Sequence, residues 1–142
     1  MEKLNKITAE IMNGRFGKDS LIALATAEDN VPYVRAVNAF YENRAFYVIT
    51  YKTSNKMRQI EKNPTVAVSG EWFTGTGTAA DLGYYGKPEN ADIARKLRAA
   101  FAEWIDNGHN DFTDENTIIL CISLKDGILF SYGTRYEIDF TE

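Results

Sequence analysis

Three apolar runs in the first half of the chain are separated only by short turn sequences. They cover residues 21–27, 32–41 and 45–51, and the turns between them are Glu28-Asp29-Asn30 and Glu42-Asn43-Arg44. The runs have the apolar, β-branched and aromatic composition of strands, and turns of this length join antiparallel neighbours. The sequence therefore predicts an antiparallel sheet of consecutive strands and does not fit a fold of alternating β-α-β units.

The rest of the chain adds further strands and the helices. The predicted strands cover residues 65–73, 117–124 and 128–140, with Lys125-Asp126-Gly127 as an Asp-Gly hairpin turn before the last of them. Residues 74–79 are predicted as either a glycine-weakened strand or a loop. Three helices are predicted. The first covers residues 3–13 and ends at Gly14, the second is short and begins directly after Ser54, and the third covers residues 89–107 and is capped by Gly108. The predicted fold class is mainly β (α+β), an antiparallel barrel of six or seven strands with three flanking helices.

Length and composition favour one globular domain over residues 1–142. The chain is 44% hydrophobic and 25% charged, and its net charge of −4 argues against a nucleic-acid or anionic-membrane partner. No apolar run approaches the ~20 residues of a membrane span, and residues 1–6 lack the apolar core of a signal peptide. The single cysteine, Cys121, excludes an internal disulfide framework and a cysteine-based zinc site. We expect a cytoplasmic protein.

The segment from Thr50 to Lys56 is the most informative one for function. It ends an apolar strand and begins a short helix, with Ser54 in the N-cap position and Lys56 in the first turn. The free backbone N–H groups of that turn, the Ser54 hydroxyl and the Lys56 ammonium together suit a phosphate group. The alternative is an ordinary capped helix without a ligand, which the segment alone does not exclude.

Strand 32–41 carries two polar residues among apolar ones. Arg35 and Asn38 lie on opposite faces, because side chains alternate along a strand. Arg35 is either a solvated outer residue or part of a strand that runs beside a bound ring and offers it backbone groups. Both interpretations remain open at this point.

The usual catalytic groups are scarce. His109 is the only histidine and lies in a polar stretch that is predicted to be a surface loop. A Ser-His-Asp triad and a histidine-rich metal site therefore do not fit the sequence. If the protein is an enzyme, a cofactor is expected to carry the chemistry.

The order of these pieces resembles the pyridoxamine 5'-phosphate oxidase-like family of flavin-binding split barrels, in particular its small general-stress-protein-like and nitroimidazole-reductase-like members. The matching pieces are Ala23–Thr26, Pro32–Asn38, Phe46–Thr50, Ser54–Ile60 and Asn63–Val68. The resemblance implies a split β-barrel that forms a homodimer, with FMN bound at the subunit interface.

The resemblance also implies which residues bind the cofactor. Those that correspond to the strand along the pyrimidine edge of the flavin are Arg35, Ala36, Val37 and Asn38. Those that correspond to the phosphate site are Thr50, Ser54, Asn55 and Lys56, with Asn55 standing where the oxidase has an arginine. Thr76 to Thr78 fall near a contact from the partner subunit, and Thr78 is the residue assigned to it.

Two departures from the oxidase argue against pyridoxal phosphate synthesis. The oxidase grips its substrate phosphate with an Arg-x-His near the C-terminus, and this chain has Arg135-Tyr136-Glu137, whose carboxylate repels a phosphate. The C-terminal tryptophan that contacts FMN is also absent, and Phe130 or Tyr132 is the aromatic residue nearest to its place.

The predicted function is an FMN-dependent oxidoreductase that passes electrons from reduced flavin to a small, flat acceptor. The alternative is a non-catalytic FMN-binding carrier or stress-response protein. A third hypothesis keeps the barrel and replaces FMN by haem or a deazaflavin. Trp72 is a minor candidate for lining the pocket, since an aromatic residue at a strand end is more typical of a core or an interface.

Overall fold

A computed structural model describes residues 1–142. The strands are β1 (Glu2–Lys3), β2 (Ser20–Glu28), β3 (Val31–Glu42), β4 (Ala45–Tyr51), β5 (Thr65–Gly70), β6 (Phe73–Tyr84), β7 (Thr117–Ser131) and β8 (Thr134–Asp139). The helices are α1 (Lys6–Phe16), α2 (Asn55–Lys62) and α3 (Ala91–Ala100), and a 3-10 turn at Pro88–Asn90 leads into α3. None of these helices is long and apolar enough to cross a lipid bilayer.

Six strands form a closed antiparallel barrel in the order β7-β4-β3-β2-β5-β6, with β6 pairing back to β7. The 15-residue β7 closes it, because one of its edges pairs with β4 in the first half and with β8 in the second half. The short β1 adds to β8 in parallel. The predicted antiparallel barrel of six or seven strands with three flanking helices is confirmed: the barrel itself has six strands, and β1 and β8 are two additional strands.

The predicted hairpin turn at Asp126-Gly127 is wrong. Both residues lie within β7, and the chain reverses at Tyr132-Gly133, where both residues have positive φ. The glycine at 127 has a packing role instead: a Cβ there would lie 2.6 Å from the Phe73 ring and 3.1 Å from the Phe140 ring. A glycine inside a strand that permits close packing resembles a turn signal when only the sequence is read.

The predicted helix 89–107 is also longer than the helix in the structure. The α-helix ends at Ala100, but the turns that follow it still bury Phe101 and Ile105. The helical spacing of apolar residues therefore continues beyond the end of the helix. Gly108 does not cap it.

Two other predicted boundaries shift by several residues. The first helix covers Lys6–Phe16 with Gly14 inside it, and its capping box joins Asn5 and Thr8. It buries Met12 and Phe16, whereas Ile7 is 60% exposed. The predicted strand 65–73 breaks at Glu71-Trp72, where Trp72 has a φ of 52°, and residues 74–79 belong to β6.

The core has two parts. The larger cluster fills the barrel and includes the packed rings of Phe16, Phe46 and Phe73, with α1 and α2 contributing residues to it. The smaller cluster lies outside the barrel, where α3 and its following turns pack Leu97 and Phe101 against β7. Each fully buried side chain of this size stabilises the fold by roughly 1.5–3 kcal/mol. The second cluster therefore fixes the segment after α3 against the barrel wall.

Two glycine substitutions should have opposite effects on stability. Gly127→Ala is expected to lower the free energy of unfolding by about 1–3 kcal/mol, because the new methyl group overpacks the buried Phe73 and Phe140 rings. Gly14→Ala is the matched control: its Cβ meets nothing within 4 Å, so alanine should raise stability by about 0.5–1 kcal/mol through helix propensity. Urea unfolding of both variants measures the difference. Equal stabilisation by the two changes would contradict the packing role of Gly127.

Candidate functional site

The barrel is split between β3 and β4. These strands pair only through Phe40↔Tyr47, Tyr41↔Phe46 and Glu42↔Ala45, next to their hairpin. Beyond that point β3 pairs only with β2, and β4 pairs only with β7. The first part of β3 and the last part of β4 therefore leave a gap in the wall.

Backbone groups of β3 turn into this gap. Glu42 and Ala45 flank a two-residue turn with positive φ at both residues, the geometry in which the flanking residues exchange both hydrogen bonds. Hydrogen bonding alternates along a strand, so the even-numbered residues of β3 direct their peptide groups toward β4. In the gap these residues include Ala36 and Asn38, which offer peptide N–H and C=O groups without a β4 partner.

The N-terminus of α2 lies at the same gap and contains an unsatisfied hydroxyl. Ser54 occupies the N-cap position with extended backbone angles, as predicted, but its side chain makes no capping hydrogen bond. Its Oγ is the one buried side-chain nitrogen or oxygen atom in the structure without a hydrogen-bond partner. A buried hydroxyl in this state costs roughly 1–3 kcal/mol, and a group that forms a hydrogen bond with it would remove this cost.

Lys56 provides a positive charge beside this hydroxyl. Its Nζ donates a 2.8 Å hydrogen bond to Thr50 Oγ1, and no carboxylate forms an ion pair with it. Burial lowers the pKa of Lys56, and the nearby positive charge of Arg35 lowers this pKa further. Both causes disfavour the charged lysine, and an anion bound beside it would offset their effect on its pKa.

Arg35 is not a solvated outer residue. Its guanidinium donates to Thr26 Oγ1 at 2.8 Å and to Gln59 Oε1 at 3.1 Å, and burial lowers its pKa. Because Gln59 is a buried residue of α2, this network ties the helix to β2 and β3. Arg35 thus holds α2 in place and does not itself line the cavity described next.

A cavity of about 370 Å³ opens at the gap, within the range of roughly 300–1,000 Å³ that is typical of small-molecule sites. Its lining residues are Val37, Asn38, Val48, Ile49, Thr50, Lys56, Trp104, Asn107, His109 and Asn110. Four of the predicted cofactor-binding residues are among them: Val37, Asn38, Thr50 and Lys56. None of the lining residues is acidic, although the chain carries 20 acidic residues.

The other predicted residues lie around the cavity or apart from it. Ala36 directly precedes the lining residue Val37, and Ser54 is the N-cap of α2, two residues before the lining residue Lys56. Asn55 is exposed in the first turn of α2. Thr78 faces outward from β6, on the outer surface of the barrel, and does not line the cavity.

The sequence did not predict the wall formed by the segment after α3. Trp104 and His109 line the cavity, whereas the sequence placed them in a predicted helix and a predicted surface loop. The Trp104 ring stacks on Phe101 at 4.7 Å, and its Nε1 donates to Asp19 at 2.9 Å. The only local signal was the polar run at residues 107–110, which is compatible with any loop.

A second, larger groove of about 570 Å³ runs along the outer surface of the barrel. Small residues such as Ala23, Ala25 and Ala67 line it, because they alternate with residues that point into the core. Leu21 and Val34 on the same outer face are 68% and 70% exposed. Its other lining residues include the carboxylates of Asp126 and Glu137, which make this groove unsuited to a phosphate.

Comparison with known proteins identifies a family. Residues 9–125 match the family described as pyridoxamine 5'-phosphate oxidase. No curated protein sequence matches the chain significantly.

Three solved structures share the fold. A NimC/NimA family protein from Clostridium acetobutylicum is 18% identical with a TM-score of 0.67, covering 91% of this chain and 92% of its own. General Stress Protein 26 from Bacillus anthracis is 17% identical with a TM-score of 0.68, covering 91% and 97%. A protein described as an F420 reductase is 18% identical with a TM-score of 0.65, covering 81% and 94%. At these identities the likeness is one of fold.

The family match extends over most of the chain, including β2 to β6 and the split between β3 and β4. The structural likeness to the NimC/NimA protein and the stress protein agrees with the small members that the sequence resembles. This protein therefore belongs to the pyridoxamine 5'-phosphate oxidase family.

Proposed function

We propose that this protein binds FMN in the gap between β3 and β4 and acts as an oxidoreductase on a small, flat acceptor. The observation that carries the proposal is the buried, unpartnered Ser54 Oγ at the start of α2. It lies two residues from Lys56, a cation without an ion-pair partner. A phosphate at this position satisfies the hydroxyl, compensates the charge and accepts from the free N–H groups of the first helical turn.

The residues of this site fit a phosphate in distinct ways. Lys56 supplies the charge. Thr50 Oγ1 accepts the hydrogen bond of the lysine and so keeps its own hydroxyl proton available for donation to an anion. Asn55, which stands where the oxidase has an arginine, is exposed and adds no charge, so the site relies on one lysine, hydroxyl groups and backbone amides.

The ring-binding part of the site would be β3. The peptide groups of Ala36 and Asn38 offer donors and acceptors to the edge of a ring, and Val37 adds apolar contact. Flavin, when bound, supplies the electron-transfer chemistry. The protein's own residues bind it, orient it and exclude water. The family name and the reductase among the solved structures support a redox role.

We also propose that a second copy of the chain covers the outer groove, so that the working form is a homodimer. The exposed Leu21 and Val34 beside a groove of small residues provide the flat apolar surface that such an interface needs. Thr78 points outward from this barrel and would reach the flavin of the partner, as the resemblance implies.

Pyridoxal phosphate synthesis is not part of the proposal. Arg135 pairs with Glu137 at 2.9 Å on β8, and both side chains are half exposed. The arginine is therefore already neutralised by a carboxylate, which disfavours a phosphorylated substrate at this position.

The visible absorption spectrum of the purified protein tests the proposal directly. We expect flavin bands, either at once or after addition of FMN, that bleach with NADH or NADPH under anaerobic conditions. Bound FMN that supports no turnover with NADH or NADPH across a panel of acceptors would indicate a carrier. A haem Soret band, deazaflavin absorption or a colourless protein that ignores FMN would contradict the FMN assignment.

Substitutions at the start of α2 should weaken FMN binding selectively. Ser54→Ala and Lys56→Gln are each expected to raise the Kd for FMN by about ten- to a hundredfold, equivalent to ~1.4–2.8 kcal/mol, because each removes a bond to the phosphate. Riboflavin, which has no phosphate, should bind all variants equally. Lys62→Gln at the other end of the same helix is the matched control. Fluorescence titration of the wild-type protein and the three variants gives four affinities for each of the two ligands, and equal losses for FMN and riboflavin would place the phosphate elsewhere.

The affinity for FMN should fall as the pH rises. The pKa of Lys56 is lowered by burial, so this lysine loses its charge at a lower pH than an ordinary lysine, and the phosphate loses its cation. FMN binding favours the charged lysine and raises this pKa, so the decrease extends from the pKa of the free protein up to that of the complex. Titrations between pH 7 and 10.5 with FMN and riboflavin separate the effect. In Lys56→Gln, the affinities for FMN and riboflavin should have the same pH dependence over this range.

A further inference from the structure

One carboxylate links two walls of the cavity from outside. Asp19 lies in the short connection between α1 and β2. Its Oδ1 accepts from Asn38 Nδ2 at 3.0 Å, and its Oδ2 accepts from Trp104 Nε1 at 2.9 Å. Both donors belong to side chains that line the cavity, one on β3 and one after α3. The carboxylate itself is not part of the lining.

This arrangement fixes the orientation of the Asn38 amide. An ionised carboxylate only accepts hydrogen bonds, so the amide nitrogen of Asn38 must face Asp19. The carbonyl oxygen Oδ1 then points away from Asp19 and remains available as an acceptor. Without Asp19, either end of the amide could face a ligand.

The same carboxylate fixes the Trp104 indole. The ring is held at its N–H by Asp19 and on one face by Phe101, with an interplanar angle of 30°. Two restraints of this kind leave the indole little rotational freedom. Its remaining surface forms a flat, rigid part of the cavity wall.

We propose that Asp19 is a positioning residue that sets the ligand preference of the cavity. It holds Asn38 as a hydrogen-bond acceptor and Trp104 as a flat wall, so that the cavity selects a planar ring with an N–H donor at its edge. The inference deepens the proposed function and rests on it, because the imide N–H of the flavin ring is such a donor. It adds a residue outside the cavity to the determinants of specificity.

The first test compares FMN with 3-methyl-FMN, in which a methyl group replaces the imide hydrogen. The wild-type protein should prefer FMN by at least about tenfold, since a site built to bond an N–H rejects the analogue that lacks it. Asp19→Asn and Asn38→Leu keep the bulk of the side chains and should reduce this preference to less than about threefold, because the fixed acceptor is lost. Asp29→Asn removes the same charge at the opposite end of β2 and should keep the full preference.

The second test needs no flavin. In a Trp72→Phe background Trp104 is the only tryptophan, since the chain has two. Asp19→Asn should then increase the acrylamide quenching of Trp104 fluorescence at least about twofold and shift its emission to the red, because asparagine has one acceptor oxygen for the two donors that Asp19 binds and holds the indole N–H less firmly. Asp29→Asn should change neither value. Melting curves identify any variant that does not fold, and Asn38→Leu carries the first test if Asp19→Asn is such a variant.

The outcomes separate the two proposals. If the wild-type protein binds no flavin, the proposed function fails, and the quenching measurement still decides whether Asp19 holds Trp104. If the wild-type protein binds FMN but every folded variant keeps the same preference over 3-methyl-FMN, the role of Asp19 is overturned while the flavin function stands. Equal weakening of both ligands by Asp19→Asn would also overturn it.

Discussion

The pairing of β7 with three neighbours is the constraint on which the rest of the structure depends. Its first half pairs with β4, its second half with β8, and its other edge follows β6. This long strand keeps the barrel closed even though β3 and β4 separate after three residue pairs. Backbone groups that lose a strand partner must find another one. The gap is therefore tolerated where the fold is otherwise secured, and it leaves peptide groups for recognition.

The gap also concentrates unfavourable electrostatics in one place. Lys56 is half-buried beside the positive Arg35, and the Ser54 hydroxyl is buried without a partner. The network of Arg35, Gln59 and Thr26 holds α2 so that these groups cannot relax away from the gap. A ligand that satisfies them stabilises the folded protein, because it binds the native state and not the unfolded chain. Stability and binding are thus coupled at the same residues.

The sequence predicted those elements that depend on local pattern. The hairpins from β2 to β4 follow from short turns between apolar runs, and the N-cap at Ser54 follows from residue type and spacing. Gly127 was misread because its role depends on the Phe73 and Phe140 rings, which only the folded barrel brings to it. The end of α3 was misread because Phe101 and Ile105 are buried with or without a helix.

The candidate site was predictable only in part for the same reason. Lys56 and Thr50 are six residues apart in the chain, and their contact follows from a strand that leads directly into a helix. Asp19 and Trp104 are 85 residues apart, and nothing in the local sequence of either residue indicates the other. The wall after α3 depends on the second apolar cluster, whose members come from distant segments. Long-range packing therefore decides the part of the site that the sequence leaves open.

The charge distribution around the cavity favours one orientation of a bound ligand. The chain is acidic overall, with a net charge of −4, so its general field does not attract an anion. At the α2 end, Lys56 and the first-turn amides favour a negative group. At the Asn38 end, the Asp19 carboxylate accepts from two neutral donors, which leaves the carbonyl oxygen of the Asn38 amide free to accept a hydrogen bond. A ligand with an anionic tail and a neutral ring edged by a donor matches both ends, and reversing it would place the anion against an acceptor.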